Sequence, residues 1–273
     1  MKNATTDTYK ISDLLRIMQC LRDPDNGCPW DIEQDFSSIL PFTLEETYEL
    51  VDAIENADFD QATEELGDLL FQVVFYCQLA AEQNLFSFDS VVDGIARKLI
   101  RRHPHVFSSG DKEAQSDKSL SIEDVKKNWE QLKSEERSNK QLSKLMDDVP
   151  KALPALCRAL KLQGRASKIG FDWVHVEDVV SKVEEELQEL KFAINRYKQS
   201  AVEGELGDLL FTVVNLSRHL RVDAEIALRR SNQKFEDRLR FMEAASLEEG
   251  STVETENLEV LEQRWRLAKQ RFS

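Results

Sequence analysis

The chain contains a repeated segment, and this repeat constrains the fold more than any other feature of the sequence. The seven residues Glu-Leu-Gly-Asp-Leu-Leu-Phe occur at positions 65–71 and again, unchanged, at positions 205–211. At the same offset of 140, three acids of the first copy fall on acids of the second: Glu45 on Glu185, Glu46 on Glu186 and Glu49 on Glu189. An identity of this length with acids in phase indicates a tandem duplication, so the chain is predicted to fold as two copies of one domain.

Farther along the chain, the offset between the copies becomes 136. Three more pairs then match: Lys98 with Lys234, Arg102 with Arg238, and Trp129 with Trp265. The change in offset places four extra residues in the first copy near positions 82–85, where we predict a longer loop. We predict a first repeat at residues 8–137, a linker at 138–150 and a second repeat at 151–273, because the polar stretch between the copies ends in prolines.

The hydrophobic pattern of each copy predicts helices. Apolar side chains recur every three or four residues, as along residues 11–21, and no stretch sustains the alternation that marks a strand. The predicted helices are residues 43–56, 61–83, 122–136, 178–197 and 201–220. Two long helices joined by a short turn pack antiparallel, and a second pair completes a bundle. The predicted fold class is all-α, with two four-helix-bundle domains in tandem.

The net charge and the cysteines limit the classes of function. A formal charge of −15 argues against nucleic-acid binding, and it means that a polyphosphate substrate would need a cation to approach. The four cysteines lack the CxxC spacing of a metal or redox site, which favours reduced thiols. The first seven residues lack the apolar core of a signal peptide, and the longest apolar run is too short to span a bilayer. We therefore expect a cytoplasmic protein without a membrane partner.

Acidic residues on the two long helices of each copy are the candidate metal ligands. In the first copy Glu46 and Glu49 lie three residues apart, as do Glu65 and Asp68, so each pair shares one helix face. Antiparallel packing can bring the two pairs together. Four carboxylates about 5 Å apart would repel one another by roughly 3 kcal/mol per pair at an effective dielectric constant near 20, which favours a bound cation. Ligands that are all carboxylate oxygens select Mg²⁺, Mn²⁺ or Ca²⁺.

The second copy repeats this pattern with four acids: Glu186, Glu189, Glu205 and Asp208. One pair of acids three residues apart usually marks only a solvated helix face, but here the whole pattern occurs twice beside apolar residues. Because of those apolar neighbours, we expect the helix that carries Asp68 to be mostly buried. A di-iron carboxylate bundle would need a Glu-x-x-His motif, and no histidine follows any of these acids at that spacing.

The doubled acidic pattern and four shorter motifs together resemble the MazG family of nucleoside triphosphate pyrophosphohydrolases. The motifs are Cys-Pro-Trp-Asp at 28–31, Arg-Arg-His-Pro-His-Val-Phe at 101–107, Gly-Phe-Asp-Trp at 170–173 and Asn-Gln-Lys-Phe-Glu-Asp-Arg at 232–238. The resemblance covers nearly the whole chain, in the two-domain form of the family. It implies an all-α, Mg²⁺-dependent homodimer, with Mn²⁺ as a substitute metal. Such an enzyme cleaves several kinds of nucleoside triphosphate between the α and β phosphates, as a house-cleaning activity.

The resemblance also implies roles for individual residues. The Mg²⁺ ligands would be Glu186, Glu189, Glu205 and Asp208, with Glu46, Glu49, Glu65 and Asp68 as their equivalents in the first copy. The residues that meet the triphosphate would be Lys182, Lys234 and Arg238. Trp265 would hold the base, although a Trp with leucines near it is more often part of a core. The predicted catalytic residues are Glu185, Glu186, Lys234 and Arg238, and the general base is left open between the two glutamates.

The two copies differ at three positions that bear on substrate binding. In the second copy these positions hold Lys182, Asn215 and Asn232, where the first copy has Phe42, Phe75 and Ala96. The first copy keeps the acids but lacks these polar groups. We therefore predict that the second copy is the main active site, with both asparagines among its substrate-binding residues. The first copy is expected to bind metal and to serve dimerisation, regulation or a narrower set of substrates.

Two alternative functions stay open on the sequence. A nucleotide-sensing or partner-binding module would keep the metal ligands and lack the basic residues, which describes the first copy only. A narrower enzyme similar to dimeric dUTPase or phosphoribosyl-ATP pyrophosphohydrolase is disfavoured by the duplication and by the segment that carries Trp265.

Overall fold

The computed structural model of the chain describes residues 8–107, 121–125, 128–129, 132, 136, 144–196 and 198–272. The chain forms two compact units, Met1–Lys133 and Ser134–Ser273. In the described residues the regular structure is helical, apart from one isolated bridge residue at Phe107. The all-α prediction and the division into two similar halves are thereby confirmed.

The segment between the repeats is only partly described. The units divide between residues 133 and 134, whereas the predicted end of the first repeat is residue 137. The finer linker boundaries stay a prediction, because residues 138–143 lie outside the described residues, as do residues 1–7, which bear on the signal-peptide argument. Every described residue of the predicted helix at 122–136 is helical.

The first unit contains the helices α1 (Ile11–Leu21), α2 (Pro29–Glu33), α3 (Leu40–Glu55), α4 (Phe59–Glu82) and α5 (Phe88–Arg102). A short turn joins α3 to α4, and Ala57 in this turn adopts the left-handed backbone conformation, with φ of 56°. The side chain of Asp58 caps α4 by accepting a hydrogen bond from the backbone N–H of Gln61. The tight turn makes α3 and α4 antiparallel neighbours, as predicted.

Helix α4 lies at the centre of the first unit, because α1, α3 and α5 all pack against it. Its second half contributes three residues to the buried core, which also contains Met18 of α1 and Ile39. The three residues are Val74, Phe75 and Leu79. Burial of large apolar side chains of this kind is the main source of stability in a helical unit of this size.

The first half of α4, which carries the acids, is more open. Leu66 and Leu70 there keep 55% and 42% of their surface exposed, and Asp68 is exposed as well. The expectation that Asp68 lies on a mostly buried helix is therefore wrong for the chain described here. The physical reason is that the core cluster, with its contacts from α1 and α5, covers the second half of the helix.

The second unit repeats this arrangement with α6 (Ala155–Ser167), α7 (Val176–Asn195), α8 (Gln199–His219), α9 (Ala224–Glu248) and α10 (Leu258–Arg271). Helix α8 is central, since α6, α7 and α9 pack against it, and α10 packs on α9. The buried apolar residues of the second unit include Val179 of α7, Val214 of α8 and Met242 of α9. Each unit thus places the helix with the repeated Glu-Leu-Gly-Asp segment at its centre.

The lengths of equivalent helices differ between the units. Helix α4 has 24 residues and α8 has 21, although both begin at the same position of the repeat. The four extra residues of the first copy therefore lengthen a helix, and the prediction that they lengthen a loop is wrong for most of them. Nearly one helical turn of 3.6 residues is added, which leaves the next loop on the same side of the helix. Helix α9 has 25 residues against 15 in α5.

The predicted helices at 43–56, 61–83, 178–197 and 201–220 are all present, but each starts two or three residues earlier than predicted. For α3 the reason is Pro41, which lies in the first turn, where a helix tolerates proline. Residue 197 lies outside the described part of the chain. None of the helices in the described ranges combines the length and apolar character that would let it cross a membrane.

Candidate active site

Helices α7 and α8 bring three predicted ligands of the second unit together. Glu186 lies on α7, while Glu205 and Asp208 lie on α8. One carboxylate oxygen from each of the three lies within 4.8 Å of the other two. Glu205 and Asp208 are three residues apart and so share a face of α8, and antiparallel packing turns that face toward α7. Glu186 is buried, with 6% of its surface exposed.

The first unit forms the equivalent cluster from α3 and α4. Glu46 and Glu49 of α3 meet Glu65 of α4, and their ligand oxygens lie within the same 4.8 Å of one another. Glu65 is the buried acid of this cluster, whereas its repeat equivalent Glu205 is half-buried and Glu186 is the buried acid of the second cluster. Over the described ranges of the chain, these two clusters are the groups of three or more potential metal ligands that approach this closely.

The fourth predicted ligand of each cluster, Glu189 or Asp68, lies outside the close group of three. The pKa of Glu189 is raised, first by its reduced contact with water and then by the negative charges of Glu186 and Glu205. The pKa of Glu46 is raised in the same way, by reduced contact with water and then by Asp68. The fourth acid therefore lies near enough to act on its cluster through charge, and a bound cation would relieve this repulsion.

The donor atoms in each cluster fit a hard divalent cation. All of them are carboxylate oxygens, which suit Mg²⁺, Mn²⁺ and Ca²⁺ better than Zn²⁺ or Cu²⁺. Opposite ligands of one Mg²⁺ ion lie about 4.2 Å apart, since each lies about 2.1 Å from the metal. Oxygens within 4.8 Å of one another need to move only slightly to reach that arrangement.

Lys182 provides a positive charge at the second cluster. Its Nζ lies 2.9 Å from Oε1 of Glu185 and 2.9 Å from Oε1 of Glu186. These two hydrogen bonds raise the pKa of Lys182, so the side chain stays protonated. Glu185 is exposed and Glu186 is buried, and both contact Lys182. The choice between these two glutamates as the general base stays open.

Phe42 occupies the equivalent position in the first unit and carries no charge. Its ring packs edge-on against Trp30, with 5.8 Å between the ring centroids. In the described part of the chain, Glu46, Glu49 and Glu65 form no ion pair with a basic side chain. Within the described residues, the second cluster therefore has a counter-charge, Lys182, for which the first cluster has no equivalent.

Four of the other predicted substrate residues lie on α9 and α10: Asn232, Lys234, Arg238 and Trp265. Arg238 donates hydrogen bonds of 3.0 and 2.6 Å to the backbone carbonyl of Phe272, and its guanidinium lies 5.4 Å from the ring centroid of Trp265. The Trp265 ring is half-buried and lies 5.5 Å from the ring of Phe235. Lys234 lies one turn before Arg238 and is exposed. These residues form a second group, and in the described residues neither cation is hydrogen-bonded to an acid of the cluster.

The two predicted asparagines have different surroundings. Asn232 is exposed on α9. Asn215 is buried, and its Oδ1 accepts hydrogen bonds of 3.1 and 2.7 Å from the guanidinium of Arg218. Arg218 also pairs with Asp172, whose Oδ1 lies 3.0 Å from Nε2 of His219. The structure thus places Asn215 in a polar network at the end of α8.

The sequence analysis did not predict Arg218, Asp172 and His219 as residues of the site. Two of its members are adjacent in sequence, but the hydrogen bond from Arg218 to Asp172 spans 46 residues, so no spacing rule could pair them. The sequence does contain one signal, because Asp172 belongs to the Gly-Phe-Asp-Trp motif. The pKa of Asp172 is lowered overall: burial raises it, but hydrogen bonds from Arg218 and His219 outweigh that effect.

The fold and the site together define a class of protein. It is a tandem, all-helical protein in which each unit presents a cluster of carboxylates, suited to a hard divalent cation, between two antiparallel helices. A family model described as the MazG nucleotide pyrophosphohydrolase domain matches residues 34–107 and 175–241, which contain both clusters. The chain belongs to the MazG nucleotide pyrophosphohydrolase family, and its family assignment from sequence motifs is confirmed.

Relatives support this assignment over nearly the whole chain. The chain is 48% identical over 262 residues to a nucleoside triphosphate pyrophosphohydrolase of Escherichia coli, covering 95% of this chain and 97% of that protein. It is 42% identical over 259 residues to the nucleoside triphosphate pyrophosphohydrolase/pyrophosphatase MazG of Thermotoga maritima, covering 95% of each. It also matches about half of YabN of Bacillus subtilis, with 40% identity over 263 residues.

Proposed function

We propose that this protein is a Mg²⁺-dependent nucleoside triphosphate pyrophosphohydrolase that converts several nucleoside triphosphates to the monophosphate and pyrophosphate. The observation that carries the proposal is the close group of Glu186, Glu205 and Asp208 with Lys182 beside it. Membership of the family and the names of the Escherichia coli and Thermotoga maritima relatives support it.

In this proposal the second unit binds the metal through Glu186, Glu189, Glu205 and Asp208. When bound, Mg²⁺ neutralises charge on the phosphate oxygens and makes a water molecule more acidic. Mn²⁺ offers the same preference for oxygen ligands and is expected to substitute. The first unit would hold its own ion with Glu46, Glu49, Glu65 and Asp68.

The protein side chains supply the proton transfer and the charge. Glu185 or Glu186 accepts a proton from the attacking water, and the water oxygen forms a bond to phosphorus as the bridge between the α and β phosphates breaks. The electron pair of the broken bond leaves with pyrophosphate. Lys182 is placed to move from its two glutamates to the phosphates, because both partners are anions that bind it through similar hydrogen bonds.

The group on α9 and α10 is proposed to bind the other end of the nucleotide. Lys234 and Arg238 share one helix face and would bind the triphosphate, and Trp265 would stack on the base. Asn232 and Asn215 are proposed to bind the phosphate or the sugar. These contacts do not recognise one particular nucleobase, which is consistent with the broad substrate specificity of a house-cleaning enzyme.

Paired variants test which unit is catalytic. Glu186→Ala is expected to reduce release of monophosphate and pyrophosphate by at least about a hundredfold, because a metal ligand and a candidate base are lost together. Glu46→Ala, at the equivalent position, is expected to leave at least about half the activity, since the first unit lacks a counterpart of Lys182. Equal losses from the two variants, or a loss from Glu46→Ala alone, would refute the assignment to the second unit.

A second function, nucleotide sensing, is favoured by one observation on the first unit alone. That unit keeps a close group of acids but has Phe42 where the second unit has Lys182. An isolated cluster of this kind can bind a metal–nucleotide complex without turning it over. Tight nucleotide binding by wild-type protein, with no pyrophosphate released, would favour sensing over hydrolysis.

We also propose that the protein is a homodimer in the cytoplasm. The acidic half of α4 exposes Leu66 and Leu70, and α8 exposes Leu206 and Leu210 at the equivalent positions. A second copy that covered these leucines would bury apolar surface on both helices. The free thiols of the four cysteines suit a reducing compartment. Light scattering on the purified chain tests the dimer, and a monomer at micromolar concentration would exclude it.

A further inference from the structure

Arg264 on α10 is buried and binds two carboxylates at once. Its Nε and Nη2 donate hydrogen bonds of 2.8 and 2.7 Å to the two carboxylate oxygens of Glu256. Its Nη2 also donates to Oε2 of Glu249 at 2.8 Å. Only 6% of the surface of Arg264 is exposed. We call this group, Arg264 with Glu249 and Glu256, the arginine clamp.

The loop between α9 and α10 is folded around this clamp. Gly250 ends α9 in the left-handed conformation, with φ of 74°, which glycine adopts without strain. The hydroxyl of Ser251 then donates a hydrogen bond to Glu256, and its oxygen lies 3.2 Å from the backbone carbonyl oxygen of Ser246. At the far end, the side chain of Asn257 caps α10 through the backbone N–H of Val260. Glu256 is therefore held by Ser251 as well as by Arg264.

The clamp determines how α10 is rotated against α9. Successive residues of a helix point about 100° apart, so fixing the direction of Arg264 also fixes the direction of its neighbour Trp265. That direction places the Trp265 ring against Phe235 and beneath the guanidinium of Arg238. The clamp holds one part of α10, and the hydrogen bonds from Arg238 to the carbonyl of Phe272 hold its end.

We propose that Arg264, Glu249 and Glu256 are positioning residues that hold Trp265 beside Arg238 for nucleotide binding. This inference rests on the proposed function, in which Trp265 stacks on the base and Arg238 binds the triphosphate. The three residues touch neither the substrate nor the metal. They keep the stacking surface and the cation at a fixed separation, which lowers the entropy lost when the nucleotide binds.

The first copy supplies an internal comparison. At the repeat offset of 136, Asn128 stands where the second copy has Arg264, and Leu120 stands where it has Glu256. Trp129 is held differently there, since its Nε1 donates a hydrogen bond of 2.9 Å to the carbonyl of Arg102. Helix α9 is ten residues longer than α5, and the additional residues include Ser246 and end next to Glu249 of the clamp. The arginine clamp therefore belongs to the copy that is proposed to be catalytic.

Steady-state kinetics with ATP and Mg²⁺ test the clamp. Arg264→Gln is expected to raise KM about tenfold and to change kcat by less than about twofold, because the binding surface moves while the acids stay in place. The matched control is Arg266→Gln on the same helix, which removes only an exposed pair with Glu262 and is expected to leave both constants unchanged. Arg264→Lys should give an intermediate KM, since lysine cannot bind Glu256 through two parallel hydrogen bonds.

A spectroscopic measurement separates positioning from a general effect on folding. In protein labelled with 5-fluorotryptophan, Trp265→Phe assigns the ¹⁹F resonance of Trp265. Arg264→Gln is expected to shift that resonance and to leave those of Trp30, Trp129 and Trp173 in place. If Arg264→Gln does not fold, Glu249→Gln removes one exposed carboxylate of the clamp and is expected to raise KM about threefold.

Four results would overturn or separate the two proposals. A folded Arg264→Gln variant with the KM of the wild type would overturn the clamp, and so would an unmoved Trp265 resonance in that variant. Unchanged KM in Glu249→Gln would do so if Arg264→Gln were unfolded. A wild-type protein that releases no monophosphate would instead refute the proposed function, while the ¹⁹F resonance would still report whether the clamp positions Trp265.

Discussion

At the scale of single residues, Lys182 distinguishes the two acidic clusters. It places one positive charge between Glu185 and Glu186, where the first unit has the ring of Phe42. In the proposed function this lysine competes with the metal ion for Glu186 while the protein is free of nucleotide. Once a nucleotide is bound, the same charge can turn to the phosphates. Lys182 is therefore expected to act against metal binding in the free protein and in favour of substrate binding once the nucleotide is bound.

Lys182→Met should consequently change two measurements in opposite directions. The Mg²⁺ affinity of the free protein, measured by titration calorimetry, is expected to rise severalfold, because Glu186 loses a competing cation. The value of kcat/KM for ATP is expected to fall by about ten- to a hundredfold, because a charged contact to the triphosphate is lost.

Lys191→Met is the matched control for this variant. Lys191 is also on α7 and exposed, and neither measurement is expected to change when it is replaced. A fall in both the Mg²⁺ affinity and kcat/KM of Lys182→Met would mean that the lysine supports the shape of the cluster and does not act as a mobile counter-charge.

The acids could be predicted because their positions depend on local rules. Glu205 and Asp208 share a helix face by spacing alone, and the short turn before α8 turns that face toward α7. The contacts of Asn215 could not be predicted in this way. Its partner network includes Asp172, which lies far away in the sequence and reaches Arg218 only after α6, α7 and α8 have packed.

At the scale of helices, the end of α9 and the start of α10 depend on ionised glutamate. Hydrogen bonds from Arg264, followed by one from Ser251, lower the pKa of Glu256 to about 2, against an ordinary value of 4.5. A group whose pKa is lower in the folded state contributes its stability above the ordinary pKa. That contribution declines as the pH falls from about 4.5 toward 2.

The pH dependence of Glu256→Gln tests this helix contact. Near pH 7 the variant is expected to be less stable to urea than the wild type, because glutamine cannot pair with the guanidinium of Arg264 as a charge. The difference between the two unfolding midpoints is expected to shrink as the pH is lowered from about 5 to 2, because the wild-type carboxylate becomes protonated. A difference that stays constant over this range would show that the charge of Glu256 does not stabilise the contact.

The helices show why some boundaries could be predicted and others could not. The apolar spacing located the helices that carry the acids, α3, α4, α7 and α8, but Leu40 and Pro41 begin α3 before that spacing is evident. The extra turn of α4 could not be predicted from the apolar spacing either. The sequence shows that four residues are inserted, and only packing against α1 and α5 determines that most of them continue the helix.

At the scale of the whole molecule, the two acidic clusters add to an already negative chain. The formal charge of the protein is −15, and both clusters hold three carboxylates within 4.8 Å of one another. Repulsion within each cluster favours separation of its two helices, so a cation that binds only the folded protein must stabilise it. If the clusters bind metal as proposed, metal binding and folding are therefore expected to be coupled in both units.

Added Mg²⁺ should raise the thermal unfolding temperature by several degrees. At a concentration about a hundred times the dissociation constant, one site contributes about 2.7 kcal/mol, and each kcal/mol shifts the midpoint by a few degrees in units of this size. Calorimetry with and without EDTA measures the effect. Glu46→Ala and Glu186→Ala should each remove part of the rise, and the double variant should remove most of it, because the clusters lie in separate units. NaCl at the same ionic strength is the control for general screening. If NaCl stabilised the protein as much as Mg²⁺ does, the stabilisation would come from general screening of the surface carboxylates. That result would exclude a specific metal site in each unit.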